Sequence, residues 1–161
     1  VRTFRSREVA LAHNGTLSLV IPRGELKFHP AGETDSELLF CALLTRLSEQ
    51  RIAYTDFQNI EKVFSEFNRC GSMNLLFSEG EHLYVYRDKN GYNGLCMTQR
   101  AAPYSRVSLK DEEWEVDLAE EKQPDQRGIV VATRPLTDER WRDFNPGTLA
   151  VFKNGNYAYG G

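Results

Sequence analysis

Residues 34–71 carry two amphipathic helix patterns in immediate succession, and on either side the apolar residues fall into short strand-like runs. This grouping constrains the fold most. A doubly wound parallel sheet needs helices alternating with strands, whereas segregated helices and strands indicate a layered α+β protein with a largely antiparallel sheet. The first helix opens at Thr34-Asp35-Ser36-Glu37, a capping box in which the Thr34 hydroxyl takes an orphan N–H and Glu37 reaches back to the cap. Leu38, Leu39, Ala42, Leu43 and Leu47 keep one face apolar to about residue 50. Thr55-Asp56-Phe57-Gln58 is expected to open the second helix in the same way. Phe57, Ile60, Val63, Phe64 and Phe67 form its stripe, and Gly71 is the expected stop.

Before the helices, residues 9–12 read as a buried strand that ends at His13-Asn14-Gly15. Asn-Gly is a strong hairpin signal, so this corner is expected to turn the chain and let residues 16–21 pair back. Residues 22–32 read as a loop, broken by Pro22, Gly24, Pro30 and Gly32. After the helices, residues 73–77, 83–86, 95–99, 128–133 and 148–153 read as strands. Ser78-Glu79-Gly80 and Lys89-Asn90-Gly91 supply turns, and Asn154-Gly155 closes the last one before a ragged tail. Residues 110–126 are acidic and polar around Trp114 and Val116, a strand fragment flanked by loop.

The length of 161 residues suits one domain. A net charge of −3 argues against a dedicated nucleic-acid binder, which needs a basic surface to neutralise phosphates. No apolar run approaches the ~20 residues of a membrane span. Cys41, Cys70 and Cys96 are widely spaced, so they suggest neither a disulfide framework nor a metal site, and a reducing, cytoplasmic setting is expected. No metal or organic cofactor is expected.

Among polar residues, Asp35 stands out. As the first residue of a helix it sits at the positive end of the dipole, which favours its ionised form. It can serve as a fixed anion for a substrate ammonium group, although the local pattern alone favours a plain helix-start role. Asn14 and Gly15 can together make an oxyanion hole from a side-chain amide and a backbone N–H. The local pattern again favours the plainer reading, a turn. His13 alone reads as a structural residue, and none of the cysteines has a visible activator.

The motif LAHNGTL followed by GETDSELLF, then SMNLLFSEGEHLYVYRD, QRAAPY and IVVATRPLTDERWRDFNPGTLAVFKNG in order, resembles the class II glutamine amidotransferases, which are N-terminal-nucleophile hydrolases. The stand-alone YafJ-type branch is the nearer match, and the γ-glutamyl amidohydrolases of thiol metabolism are similar. The resemblance implies a four-layer αββα sandwich that hydrolyses a γ-glutamyl amide through a thioester on an N-terminal Cys. It implies that Asn14 and Gly15 form the oxyanion hole and that Asp35 binds the substrate α-amino group.

This chain departs from the family at Val1, which stands where no nucleophile is available. Residues 1–161 therefore read as roughly the C-terminal two-thirds of a single amidotransferase domain and an incomplete sandwich. The chain alone is expected to be inactive and to need a missing N-terminal segment or a partner chain. Its expected substrate is a small molecule, glutamine or a γ-glutamyl amide, and no nucleic acid or membrane partner is expected. A thiol-pathway hydrolase and a non-catalytic binding module that lost the nucleophile are the alternatives.

Overall fold

The chain opens with a tight hairpin in which β1 (Arg2–Phe4) turns at Arg5 and Ser6, with φ of 51° and 61°, into β2 (Arg7–Leu17). Both turn residues are left-handed, as a two-residue hairpin requires, yet neither is Gly or Asn. Tertiary contacts hold the turn: the Arg5 guanidinium donates to Ile52 O at 2.7 Å and Leu47 O at 2.8 Å, and it lies over the Phe4 ring. The structure, a computed structural model, describes residues 1–110 and 115–160.

The helices follow as α1 (Asp35–Glu49) and α2 (Phe57–Phe67). Thereafter come β3 (Gly71–Ser78), β4 (Leu83–Tyr86), β5 (Cys96–Ala101), β6 (Arg106–Ser108) and β7 (Glu115–Asp117). The chain closes with the short helix α3 (Leu118–Glu121), β8 (Arg127–Ala132), β9 (Arg142–Asp143), β10 (Leu149–Lys153) and β11 (Asn156–Tyr159). A six-stranded sheet has the order β1-β2-β3-β4-β10-β11, a three-stranded sheet the order β8-β5-β9, and β6 pairs with β7. All these pairings are antiparallel, as expected of an α+β chain with segregated helices.

Strand alternation sorts the side chains onto the two faces of the larger sheet. Leu75 and Phe77, Tyr84 and Tyr86, and Leu149 and Val151 pack with Leu39, Leu43, Leu47, Ile60 and Phe64 of the helices. Their neighbours Leu76, Leu83, Val85, Ala150 and Phe152 face the other way, against Leu95, Met97, Ile129, Val131 and Phe144. The described residues thus stack helices, the six-stranded sheet and the three-stranded sheet in layers, with an apolar core on each side of the central sheet. Each fully buried Leu, Ile or Phe contributes about 1.5–3 kcal/mol to holding the layers together.

Several local expectations are corrected. His13-Asn14-Gly15 is no turn: β2 runs straight through it, with Asn14 opposite Asn74 and Gly15 opposite Met73, and residues 16 and 17 continue the same strand. The Asn-Gly signal loses because eight consecutive positions of β2, Ala10 to Leu17, pair with β3. Gly15 serves close approach instead. A Cβ there would lie 2.1 Å from Ser72 O, so no larger residue permits the two backbones to meet.

Thr34 caps α1 as expected, accepting from the Glu37 N–H at 3.2 Å, but Glu37 does not return the bond. Its carboxylate takes the N–H groups of Ala31 at 2.8 Å and Gly32 at 2.7 Å and pairs with Arg2. It therefore ties the loop before the helix rather than the cap. Asp56, not Thr55, caps α2, and the helix ends at Phe67, three residues before a 3-10 turn gives way to Gly71 in β3. The segment after 110 contains α3 in addition to a strand, whereas Trp114 lies outside the described residues. The tail beyond Gly155 is a strand, not ragged, because Asn156, Tyr157 and Tyr159 pair with β10.

Candidate functional site

The outer edge of β2 sets the geometry. Antiparallel strands direct alternate backbone N–H groups to opposite neighbours. Thr16 N–H donates to Ser72 Oγ at 3.0 Å and Ser18 N–H to Cys70 O at 2.9 Å, so even-numbered residues face β3. The odd-numbered residues face the other edge, where β1 pairs only with Arg7 to Val9. The Gly15 N–H therefore points to an edge that no described strand covers.

Two residues further along that edge, the Leu17 N–H is taken by Asp35 Oδ2 at 2.8 Å. Asp35 arrives there because Thr34 caps the helix, which leaves Asp35 as the first helical residue. The Leu17 hydrogen bond chiefly holds its carboxyl below the ordinary value. Partial burial opposes this, and His13 and Ser36 add to the lowering. Gly15 and Asp35 thus share one edge, where the N–H groups of Gly15 and Leu17 lie about 7 Å apart along the strand, on the scale of an extended glutamine side chain.

Asn14 projects from the even-numbered face, toward the second sheet. Its neighbourhood is a cavity of about 160 Å³ lined by Ala12, Asn74, Leu76, Leu95, Val131 and Thr133 among others. Asn14 Oδ1 accepts from Asn93 Nδ2 at 3.1 Å. Among the described residues nothing accepts from Asn14 Nδ2, which leaves that amide nitrogen free to donate. The structure thus brings Asn14, Gly15 and Asp35 to one stretch of β2. His13 binds between them, with Nδ1 2.9 Å from Ser36 Oγ and Nε2 3.2 Å from Ser72 O.

Two of the three cysteines are buried. Cys41 is buried in α1 and Cys96 in β5, where its thiol donates to Ala132 O, and burial pushes both thiols up. Cys70 is exposed. Among the described residues one group could offer three metal ligands, Glu79, Glu81 and His82, whose atoms lie within 4.8 Å of one another. The carboxylates of this group already carry hydrogen bonds and ion pairs. Arg7 reaches both carboxylates, Lys153 reaches Glu81, and His82 Nδ1 stands 2.6 Å from Glu79. No helix of the described residues is long and apolar enough to cross a membrane.

Local motif reading missed a second set of polar residues behind the site. Asp88, fully buried, accepts from Asn68 Nδ2 and from the N–H groups of Met73, Asn90 and Tyr92. Burial alone would raise its carboxyl, but these hydrogen bonds outweigh it and hold the group below its ordinary value. Asn74 Nδ2 donates to Tyr92 O at 2.7 Å and Gly94 O at 3.0 Å. The available sequence signal was the pair of Asn-Gly steps at 90–91 and 93–94, only the first of which read as a turn.

The family model for glutamine amidotransferases class-II matches residues 1–160. The chain is 40% identical over 162 residues to the uncharacterized protein MJ1515 of Methanocaldococcus jannaschii, covering 99% of this chain and 45% of that protein. It is 34% identical to YafJ of Escherichia coli over 94% of this chain and 60% of that one. Among solved structures it resembles a predicted glutamine amidotransferase from Pseudomonas aeruginosa, at 31% identity and a TM-score of 0.80 over 99% of this chain and 63% of that one. A glutamine aminotransferase class-II domain protein from Silicibacter pomeroyi shares the fold at 17% identity and a TM-score of 0.52. The chain therefore spans about half the length of the curated relatives it matches. The fold is that of the N-terminal-nucleophile αββα sandwich, and the chain belongs to the class II glutamine amidotransferases, in their YafJ-type branch.

Proposed function

We propose that this domain hydrolyses the γ-amide of glutamine, or another γ-glutamyl amide, and that residues 1–161 supply the oxyanion hole and the ammonium clamp. Attack of a thiolate on the amide carbon forms a C–S bond and moves charge onto the carbonyl oxygen. Asn14 Nδ2 and the Gly15 N–H donate to that oxygen, and Asp35 accepts the substrate α-ammonium group. The tetrahedral intermediate expels ammonia or an amine after a proton reaches the leaving nitrogen. Water then cleaves the thioester, releasing glutamate and the thiol. Division of one hard displacement into two easier steps is the general benefit of a covalent nucleophile.

The observation that carries this reading is a pair of donors on neighbouring residues, Asn14 Nδ2 and the Gly15 N–H, both without a described partner, with Asp35 fixed two residues along the edge that the Gly15 N–H faces. Cys41 and Cys96 are buried and the exposed Cys70 shows no activating partner among the described residues, which supports a nucleophile from outside these residues, on a preceding segment or a partner chain. The apolar cavity beside Asn14 has room for a leaving group larger than ammonia, which keeps N-substituted γ-glutamyl amides in the substrate class.

The test begins with the intact mass and N-terminal sequence of the natural protein, for which an N-terminal Cys is expected. Glutamate release from glutamine and from γ-glutamyl alkylamides is then measured for that protein and for the 161-residue chain. Activity in the first and none in the second is expected. Asn14→Ala is expected to lower kcat by about 10²–10³. Robust hydrolysis by residues 1–161 alone would overturn the placement of the nucleophile. A natural chain that starts at Val1, acts with no partner and only binds ligand would favour the non-catalytic module.

A further inference from the structure

We infer that Asn93 is a positioning residue that sets which way the Asn14 amide faces, and that the loop carrying it is built for this task. The inference rests on the reading of Asn14 as an oxyanion donor. A primary amide has two near-isosteric ends, and only its nitrogen can stabilise a developing oxyanion. An exposed asparagine is free to flip, and in the flipped state its oxygen would repel the oxyanion. Something must hold Oδ1 away from the reaction.

Asn93 Nδ2 does so by donating to Asn14 Oδ1 at 3.1 Å, across 79 residues of sequence. While Asn93 presents Nδ2, one orientation of the Asn14 amide satisfies that bond; the doubly flipped pair would instead turn Asn14 Nδ2 toward Asn93 Oδ1. Asn93 itself is held in an uncommon left-handed conformation, with φ of 53°. Asparagine tolerates this region better than most residues, but a free loop would not keep it there. The carbonyls on both sides, Tyr92 O and Gly94 O, are bound by the single amide of Asn74, which lies opposite Asn14 in the β2–β3 register.

The remaining bonds fix Asn74 and the loop stem. Asn74 Oδ1 accepts the Asp88 N–H at 3.0 Å, and Asp88 Oδ1 takes the N–H groups of Asn90 and Tyr92. Asp88 Oδ2 is anchored on Met73 N–H, adjacent to Asn74 in β3. Gly94 completes the approach, because a Cβ there would stand 2.6 Å from Thr133 O. From β3 outward, each bond fixes the next: Asp88 and Asn74 shape the loop, the loop presents Asn93, and Asn93 orients Asn14.

Two substitutions at this exposed position separate orientation from folding, measured in the natural full-length protein. Asn93→Gly removes the donor while accepting the left-handed backbone. It is expected to lower kcat for γ-amide hydrolysis about tenfold with KM unchanged, part of the loss expected on removing Asn14 itself. Asn93→Asp replaces the donor with an acceptor, draws the Asn14 NH2 toward itself and is expected to lower kcat further. In an Asn14→Ala background both changes are expected to have no effect, as for residues that act as one unit. Undiminished kcat in Asn93→Gly, or an equal loss with and without Asn14, would overturn the inference. The side-chain 15N–H2 signals of Asn14 give a second readout that needs no turnover. Asn93→Gly is expected to shift and broaden them, and unchanged signals would count against the positioning role. A wild-type protein that hydrolyses no γ-glutamyl amide sinks the proposed function, and the amide signals then decide the Asn93–Asn14 coupling by themselves.

Discussion

Asp35 Oδ2 accepts the backbone N–H of Leu17 at 2.8 Å, so the carboxylate that starts α1 also closes the outer edge of β2. One oxygen of Asp35 is committed to the scaffold, and the other, Oδ1, accepts from the Ser36 hydroxyl at 3.4 Å. A ligand ammonium therefore meets a carboxylate whose position is fixed by a strand. Asp35→Asn keeps an acceptor for Leu17 but loses the charge. It is expected to raise KM for glutamine by about tenfold or more, the scale of a lost charge-assisted hydrogen bond. Steady-state kinetics that separate KM from kcat check this.

The same carboxyl makes a pH prediction. Its folded-state value lies below the ordinary 3.8, so ionised Asp35 adds stability that is fully present above the unfolded value and is lost as pH falls through the folded one. The stability gap between wild type and Asp35→Asn is expected to be constant near neutrality and to close below about pH 4. Denaturant titrations across that range measure it, and a gap that widens on acidification would contradict the sign.

Gly15 is expected to tolerate no side chain. The Cβ of Gly15→Ala would meet Ser72 O at 2.1 Å and Ser72 C at 2.6 Å, both backbone atoms that cannot swing away. The strands must separate, at a cost of about 3 kcal/mol or more. Chemical denaturation is the check, and a fall of under about 1 kcal/mol would show that β2 and β3 can shift apart cheaply.

Asp88→Ala is expected to strip acceptors from Asn68 and from the N–H groups of Met73, Asn90 and Tyr92 at once. At about 1–3 kcal/mol for each donor left unpaired inside, a loss of about 3 kcal/mol or more follows. Amide hydrogen exchange is expected to rise first at residues 89–94, since the loop depends on Asp88 more directly than the sheet does.

Native-state alkylation is expected to label Cys70 quickly and to spare Cys41 and Cys96. Burial pushes the latter two thiols up, and both side chains are shielded from reagent. Mass spectrometry of peptides after brief exposure to a maleimide reads this directly. Fast labelling of Cys41 would mean that α1 opens locally.

The helices were legible because their signals are local. Thr34 and Asp35 occupy the cap and first turn as the sequence indicates, and the stripes at 38–47 and 57–67 bury the residues expected except Leu38 and Phe57, which are only partly buried. The β4 pattern at Leu83–Tyr86 was equally plain, since its short apolar run stands between turn residues. The reading failed at His13-Asn14-Gly15, where a turn dipeptide sits inside a long strand. The preference of Asn-Gly for a turn is a fraction of a kcal/mol to a few, and pairing of β2 along β3 outweighs it. Glu37 misled for a similar reason: its charge found two backbone N–H groups at Ala31 and Gly32 that the capping pattern does not describe.

By itself the sequence determined the α+β class, the helix starts and the order of the motifs that mark the family, because propensity, capping and hydrophobic period act over a few residues. Only the tertiary structure decided that Asn14 and Gly15 lie mid-strand on an open edge, that Asp35 reaches Leu17, and that Asn93 turns back onto Asn14. Those relations join residues 18 to 79 positions apart. They are set by strand register and by buried acceptors such as Asp88, which satisfy donors wherever the packed chain brings them.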